Sequence, residues 1–224
     1  MIVYGKNVVE TLLTHPHRLN HLIIQDDITS DRLNACTVPI TRLNKRDLVD
    51  QYGEQTQGYV ADISPLPLGT LDELLARNPS RIVILDGIMD PHNFGAIIRS
   101  AKAFRADAVI IRKKRTAPIT ATVYKASAGL IETLPIIQVA NIHQTLLTLQ
   151  KSNIWIYGLA GEATLSLSDV TPDAKMAWVL GSEGDGLSAL VKKTCDQLVR
   201  IPMHDEVESL NVSVAAAVAL FQTS

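Results

Sequence analysis

The chain has 224 residues, 46% of them hydrophobic and 20% charged, and its formal net charge is −2. These proportions are typical of a globular protein with one large or two small domains. No apolar run reaches the roughly 18 residues of a membrane span, and the first residues lack the basic and apolar regions of a signal peptide. The composition therefore excludes a membrane-spanning protein and gives no general electrostatic attraction for nucleic acid.

The two cysteines, Cys36 and Cys195, lie far apart in the sequence. Without a predicted targeting segment, we expect reduced structural thiols in a cytoplasmic protein. Neither residues 1–63 nor residues 81–224 carry a strong excess of lysine and arginine. Any nucleic-acid site would therefore have to be a local patch.

Residues 1–63 alternate between helical and strand-like patterns, which predicts a small α/β domain. The predicted helices are Asn7–Leu13, Asp31–Cys36 and Lys45–Tyr52, and the predicted strands are Leu22–Gln25, Val38–Ile40 and Tyr59–Ile63. The stretch Ser64–Thr70 then contains two prolines and a glycine, which disfavour a helix. It predicts a linker that runs through residue 80 and includes a short helix, Leu71–Ala76.

A second domain is predicted over residues 81–224, where apolar strands alternate with helical runs. The predicted strands are Arg81–Leu85, Ala108–Ile111, Ile136–Val139, Ile154–Leu159, Met176–Leu180 and Leu198–Ile201. The predicted helices are Asn93–Phe104, Thr120–Ile131, Ile142–Gln150, Ser188–Thr194 and Ser209–Gln222. This order indicates a mostly parallel sheet covered on both faces. The last helix is apolar nearly all round, which fits burial in the domain or at a subunit interface.

Polar, glycine-containing loops follow three of these strands. They are Asp86–Asn93, Gly181–Gly186 and Pro202–Ser209. Ligands of open α/β sheets bind beyond the carboxyl ends of the strands, at a switch point. If the loops converge, they bring together the polar side chains of Asn93, Glu183, Ser209 and Asn211.

Each of these features also has a purely structural interpretation. Asn93 can be a helix cap and Arg99 a solvated surface residue, since Arg99 points away from the apolar face of its helix. The loop GSEGDG has the backbone of an anion cradle but lacks the pattern of a P-loop, and it can equally be an ordinary loop. Glu183 within it would repel phosphate but suits a hydroxyl, an amine or a sulfonium.

Four consecutive cations, Arg112, Lys113, Lys114 and Arg115, follow the second strand of this domain. They can contact phosphates at the same sheet edge, or they can be a solvated charge run. The histidines of HPHRLNH and the acidic residues 204–208 do not form a convincing metal site, so no metal is expected. No arrangement of a hydrolytic nucleophile with its base is evident either.

Taken together, the segments DGIMDPHNFGAIIRSAKAF, VLGSEGDGLS and IPMHDEVESLNVSVAAAVALF resemble the SpoU (TrmH-like) branch of the SPOUT RNA methyltransferases. They match the three motifs of that family in order and spacing. The run KRTAPITATVYKASAGLIETLPI is similar to the bacterial 23S rRNA guanosine 2′-O-methyltransferases within the family. Tyr4-Gly5 and Thr56-Gln57-Gly58 resemble that group's small RNA-binding domain, which is similar to ribosomal protein L30e.

The resemblance implies S-adenosylmethionine as methyl donor, a C-terminal trefoil knot, and a homodimer with the cofactor site near the interface. It places Asn93, Arg99, Glu183, Ser209 and Asn211 on catalytic positions. It also places Gly181, Ile201 and Leu210 on cofactor-binding positions, with Gly181 expected to let the main chain approach the cofactor.

The implied reaction is methylation of a ribose 2′-hydroxyl, of a guanosine in 23S rRNA. A tRNA substrate and an RNA-binding protein that keeps the fold without catalysis remain as alternatives.

Overall fold

The computed structural model describes all residues, 1–224, and they form two sheets with helices packed around them. Residues 1–63, here called the N-terminal unit, build a four-stranded sheet of order β1-β4-β2-β3. Strand β4 runs antiparallel to both β1 and β2, whereas β2 and β3 are parallel. The elements of this unit are β1 Ile2–Tyr4, α1 Lys6–Leu12, β2 Leu19–Gln25, α2 Asp31–Asn34, β3 Ile40–Leu43, α3 Lys45–Tyr52 and β4 Tyr59–Ile63.

Residues 81–224, here called the C-terminal unit, form a seven-stranded sheet in which every pair of neighbours is parallel. Its strand order is β7-β6-β5-β10-β8-β11-β9. The strands are β5 Arg81–Asp86, β6 Ala108–Arg112, β7 Ile136–Val139, β8 Trp155–Leu159, β9 Leu165–Ser166, β10 Met176–Gly181 and β11 Gln197–Arg200. All six residues of β10 are buried, as expected of a central strand covered on both faces.

Six helices belong to or precede this sheet. They are α4 Leu71–Ala76, α5 Pro91–Ala103, α6 Ala121–Ala126, α7 Ile142–Lys151, α8 Ala189–Thr194 and α9 Val212–Gln222. Their buried side chains fall into two main clusters, one on each face of the large sheet. No helix combines the length and the apolar character that a membrane crossing would need.

The connections of β5 and β10 create a switch point in the large sheet. The chain leaves β5 toward β6 on one side, and it leaves β10 toward β11 on the other side. The two strands are hydrogen-bonded neighbours, with Gly181 opposite Asp86 at their carboxyl ends. A crevice is expected where neighbouring connections diverge in this way. The loops after β5 and β10 therefore open at the same place.

The α/β class and the mostly parallel sheet predicted from the sequence are confirmed. Two short strands, β1 and β9, were missed because three and two residues give little periodic signal. The predicted helix Thr120–Ile131 is wrong beyond Ala126, where Ala128 and Gly129 take positive φ angles of 53° and 81°. Gly129 lies close to α1, since a β-carbon there would stand 3.0 Å from the Cα of Val8. The trefoil knot stays a prediction.

The two units are in close contact rather than separated. The larger apolar cluster includes side chains from both, such as Val3 and Leu12 with Ile131 and Tyr124. The intervening segment is attached as well, since the amide of Gly69 donates to the carbonyl of Ile136 at 2.9 Å. The division into domains at residues 63 and 81 stays a prediction.

Candidate active site

Helix α5 presents Asn93 toward the switch point. The helix begins at Pro91, and the Asp90 side chain caps it by accepting from the amide of His92 at 2.8 Å. Proline suits the first helical position, and aspartate suits the cap. The interpretation of Asn93 as the helix cap is therefore wrong, and its side chain is free for other bonds.

Three polar side chains form one hydrogen-bonded series, one from the first turn of α5 and two from the loops after β10 and β11. The Asn93 amide nitrogen donates to Glu183 Oε1 at 2.5 Å, and the Asn211 amide nitrogen donates to Asn93 Oδ1 at 2.9 Å. Asn211 Oδ1 in turn accepts from the amide of Ser213 at 2.9 Å and from its hydroxyl at 2.6 Å. A backbone amide can only donate, so this end of the series fixes which way both amide groups face. The series leaves Glu183 as the acceptor at its other end.

Asn211 has a second role as the cap of α9. Because its side chain accepts from the amide of Ser213, the helix begins only at Val212. The predicted helix start at Ser209 is therefore wrong by three residues. Ser209 and Leu210 remain in the loop before the helix, where both line the crevice.

The loop after β10 folds back on itself. Ser182 and Gly186 exchange two backbone hydrogen bonds, of 3.2 and 3.0 Å. A β-carbon at Gly181 would lie 2.1 Å from the carbonyl carbon of Gly186, a distance no real β-carbon adopts. Gly181 therefore admits the loop's own main chain, and its expected close approach to a cofactor stays a prediction. The loop it permits forms one wall of the crevice.

A cavity of about 340 Å³ occupies the crevice. All three residues predicted to hold the cofactor line it, and so do Glu183 and Ser209. Its apolar wall includes Leu159, Leu180, Ile201, Leu210 and Val212. Its size and its mixture of apolar wall and backbone polar groups are those of a small-molecule site.

The charges around the cavity are mainly negative. Glu183, Asp185 and Glu208 line it, and the one lining cation, Lys192, is paired with Glu162. The hydrogen bond from Lys192 lowers the pKa of Glu162 below its ordinary value. A cavity of this kind disfavours a phosphate and favours a ligand that carries positive charge.

Arg99 and Ser209 lie outside the hydrogen-bonded series. Arg99 is exposed on α5, six residues after Asn93, and it has neither a hydrogen-bond nor an ion-pair partner within the chain. Ser209 is exposed as well, at the cavity wall. The structure thus joins Asn93, Glu183 and Asn211 and leaves the side chains of Arg99 and Ser209 available to a ligand.

The four consecutive cations do not form a uniform patch. Arg112 is the last residue of β6, and its guanidinium lies 3.3 Å from Asp86 Oδ1. Lys113, Lys114 and Arg115 follow it in the loop and are exposed without ion-pair partners. Arg112 is thus paired with Asp86 while 32% of its side chain stays exposed, and the other three cations are accessible. Phosphate contact by these four residues stays a prediction.

The sequence analysis placed Asp86 in a polar loop without assigning it a role, and it missed the loop after β8. Asp86 is 5% exposed, and its Oδ2 accepts from the amide of Ser188 at 3.3 Å. It therefore connects the carboxyl ends of β5 and β6 to the start of α8. The signal available in the sequence was an aspartate at the end of an otherwise apolar strand. Residues 160–162 also line the cavity and likewise follow a buried strand.

Residues 80–221 match the model of the SpoU rRNA Methylase family. The chain belongs to this family. The match covers the large sheet, all three loops of the crevice and α9 as far as Phe221. Family membership therefore rests on the same residues that build the cavity.

Similar proteins extend the family match to the N-terminal unit. The 23S rRNA (guanosine-2′-O-)-methyltransferase RlmB of Vibrio vulnificus is 40% identical over 98% of this chain and 94% of its own length. The protein of the same name from Xanthomonas campestris pv. campestris is 44% identical over 83% of this chain and 77% of its own. The SpoU methyltransferase AviRb from Streptomyces viridochromogenes, solved with AdoMet, shares the fold with a TM-score of 0.85 and 22% identity. That alignment covers 100% of this chain and 88% of AviRb.

Proposed function

We propose that this protein transfers a methyl group from S-adenosylmethionine to the ribose 2′-hydroxyl of a guanosine in 23S rRNA. The observation that carries the proposal is the hydrogen-bonded series Glu183–Asn93–Asn211 beside one cavity in a SpoU family chain. The substrate is supported by the full-length similarity to relatives that are named for this reaction. An RNA substrate is cytoplasmic in a bacterium, which agrees with the expected location.

The cavity residues fit the proposed donor. S-adenosylmethionine supplies a methyl group on a positively charged sulfur, and transfer removes that charge. The backbone of 181–187 and the apolar side chains of Ile201 and Leu210 would hold the nucleoside part. The carboxylate of Glu183 would favour the charged part, as would the surplus of acidic groups around it.

Proton loss from the ribose hydroxyl is the difficult step that the protein must assist. An arginine side chain keeps its proton in proteins, so a neutral arginine is rare at physiological pH. We therefore assign Arg99 to the stabilisation of the developing 2′-oxyanion, by charge and by hydrogen bonds, rather than to proton abstraction. The side chain of Arg99 has no partner within the chain, so all five of its N–H donors are free for the RNA.

The hydrogen-bonded series would hold the acceptor in line with the donor. Asn93 and Asn211 fix each other, and Asn211 is anchored to the first turn of α9. Correct alignment of two reactants is worth several orders of magnitude in rate, and rigid supports preserve it. Ser209, at the cavity wall, is proposed to contact the ribose.

The RNA backbone requires cations, and the loop after β6 provides them. Lys113, Lys114 and Arg115 are exposed at the carboxyl edge of the sheet, on the side of the crevice. We assign them to phosphate contacts, which position RNA without reading its sequence. The N-terminal unit would supply further contacts and thus selectivity for the rRNA.

We also propose that the active form is a homodimer. One face of α9 packs against the chain through Ala215, Ala216 and Ala219, whereas Val214, Val218 and Phe221 point outward and are 48%, 37% and 68% exposed. The preceding loop adds exposed Met203 and Val207. An apolar strip of this kind indicates a protein contact, and a second copy of the chain is the most common partner.

The test is methylation of purified RNAs with isotope-labelled S-adenosylmethionine. The proposal expects label in 23S rRNA, on one guanosine 2′-oxygen, and no label in tRNA. Label in tRNA alone would assign the alternative substrate. Cofactor binding by calorimetry without label in any RNA would indicate a protein that keeps the fold without catalysis.

A further inference from the structure

A buried arginine connects the two units of the molecule. Arg18, in the short 3-10 helix Pro16–Arg18 of the N-terminal unit, is 3% exposed. Its Nε and Nη2 donate to the two carboxylate oxygens of Glu132 at 3.0 and 3.1 Å. Glu132 belongs to the C-terminal unit, 114 residues away in sequence. The pair is bidentate, which fixes the orientation of both groups as well as their separation.

The remaining donors of Arg18 are used too. Nη1 donates to the carbonyls of Ser64 and Pro65, both at 2.7 Å, and Nη2 also contacts the Tyr124 hydroxyl at 3.2 Å. The Tyr124 hydroxyl donates to Glu132 Oε1 at 2.6 Å. An arginine has five N–H donors, and here there are five contacts. The N-terminal unit, the first residues of the linker and the C-terminal unit therefore meet at one guanidinium.

A second set of contacts restrains the same pair of units at another point. The Lys125 ammonium donates to the Gln55 carbonyl at 2.9 Å and lies 5.8 Å from the centre of the Tyr4 ring. Rotation of one unit against the other would break the bonds of Arg18 as well as those of Lys125. The segment Ser64–Thr70 therefore carries bonds at both of its ends, from Arg18 to Ser64 and Pro65 and from Gly69 to Ile136, while its assignment as a linker stays a prediction.

We propose that Arg18, with Glu132 and Tyr124, is a positioning residue for RNA that holds the N-terminal unit at a fixed angle to the active site. The inference rests on the proposed function. A substrate that contacts both units would bind a surface whose two parts are already in place. Binding would then not have to order two mobile units, and that ordering would otherwise weaken the affinity. Arg18 touches neither the cavity nor the three-residue series, so its effect on the reaction would pass through the RNA alone.

The experiment compares variants of the full chain. Arg18→Lys keeps the charge but loses the bidentate geometry. The double variant Arg18→Met with Glu132→Leu removes both charges and leaves no unpaired ion in the interior. Arg42→Met is the matched control, because Arg42 donates only to carbonyls inside the N-terminal unit, those of Gln25, Asp26 and Ile28. Each variant is assayed for kcat and for KM toward 23S rRNA, for cofactor affinity, and for thermolysin cleavage within residues 64–70.

We expect the double variant to raise the KM for rRNA at least tenfold and to expose residues 64–70 to cleavage. Its cofactor affinity should stay within twofold of the unmodified protein, and Arg18→Lys should recover only part of the loss. The control should match the unmodified protein. If the folded double variant keeps its KM and resists cleavage, the assignment is overturned. If the unmodified protein itself does not methylate rRNA, the proposed function has failed, whereas increased cleavage of the double variant would still report the restraint.

Discussion

At the scale of single residues, the site includes one carboxylate, that of Glu183, whose negative charge can be removed by a substitution that keeps its shape. Glu183 accepts from Asn93 and lines the cavity. Glu183→Gln keeps a carbonyl oxygen for that bond and removes the charge. We expect the affinity for S-adenosylmethionine to fall roughly fivefold, since one ion pair at about 4 Å in a hydrated site is worth about 1 kcal/mol.

S-adenosylhomocysteine provides the control for this variant, because its sulfur is neutral. Calorimetry should show a smaller loss for this ligand, and the melting temperature should not move. Equal losses for the two ligands would mean that Glu183 acts on a part they share and not on the sulfonium.

Arg99 allows a second prediction at the same scale. An exposed arginine without partners can be replaced by alanine within about 0.5 kcal/mol of stability. Loss of one donor at a developing oxyanion, in contrast, slows a reaction about 100- to 1,000-fold. Arg99→Ala should therefore lose at least 100-fold in single-turnover methyl transfer, with cofactor affinity and melting temperature nearly unchanged. Arg99→Lys should recover little if the planar group positions the oxygen.

Arg46→Ala is the matched control for that change. Arg46 is also an exposed helical arginine, on α3, and its only ion pair is a weak surface contact with Asp50 at 3.9 Å. It should retain the full rate. A near-normal rate for Arg99→Ala would remove Arg99 from the proposed chemistry.

At the scale of elements, the loop after β10 offers two glycines that differ sharply. A β-carbon at Gly181 would collide with the main chain of Gly186, whereas one at Gly184 would meet nothing within 4 Å. Gly181→Ala should therefore lower the melting temperature and the cofactor affinity together, because the loop cannot close. Gly184→Ala should leave the melting temperature unchanged. Thermal denaturation and calorimetry on both variants check this, and a Gly181→Ala protein of normal stability would contradict the loop's geometry.

The sequence predicted several elements with the bounds that the structure has. Strand β7 and helices α3 and α4 have the predicted bounds. The first residues of α5 and α9 were harder to predict. Asp90 and Asn211 cap these helices, but neighbouring residues in the sequence could cap them as well. Which residue caps depends on tertiary contacts, here the bond from Asn211 to Asn93, and these have no local pattern.

The candidate site, like the secondary structure, could be predicted from the sequence only in part. Loops after parallel strands must share one edge, so the proximity of Asn93 and Glu183 follows from topology. The order of the bonds among them does not, and neither does the pairing of Arg112 with Asp86, because both depend on side-chain directions. The reason for Gly181 was also inaccessible, since it lies in a contact with residues of its own loop.

At the scale of the whole molecule, the linker shows a limit of composition-based reasoning. Two prolines and a glycine in Ser64–Thr70 are typical of an exposed connection. The residues that hold this segment in place are Arg18, far before it, and Ile136, far after it. A linker's local sequence reports its backbone preferences, whereas its mobility depends on partners that only the fold brings near.

The outward face of α9 leads to a prediction about assembly. Val214→Glu places a charge in the middle of the exposed apolar strip, where an unpaired carboxylate would be buried if two copies meet. Sedimentation should show a dimer for the unmodified protein and a monomer for the variant. The fold of the monomer should persist, because Val214 is 48% exposed and contributes little to the interior of one chain.

Leu190→Glu is the matched control for assembly, since Leu190 is 54% exposed on a different helix, α8. It should remain a dimer. Asn211 caps α9 and also bonds to Asn93, so separation of the two copies should loosen this hydrogen-bonded series. The Val214→Glu monomer should therefore bind cofactor more weakly. A Val214→Glu protein that sediments as a dimer would place the subunit contact elsewhere on the molecule. A monomer with undiminished cofactor affinity would instead show that each chain completes its own site.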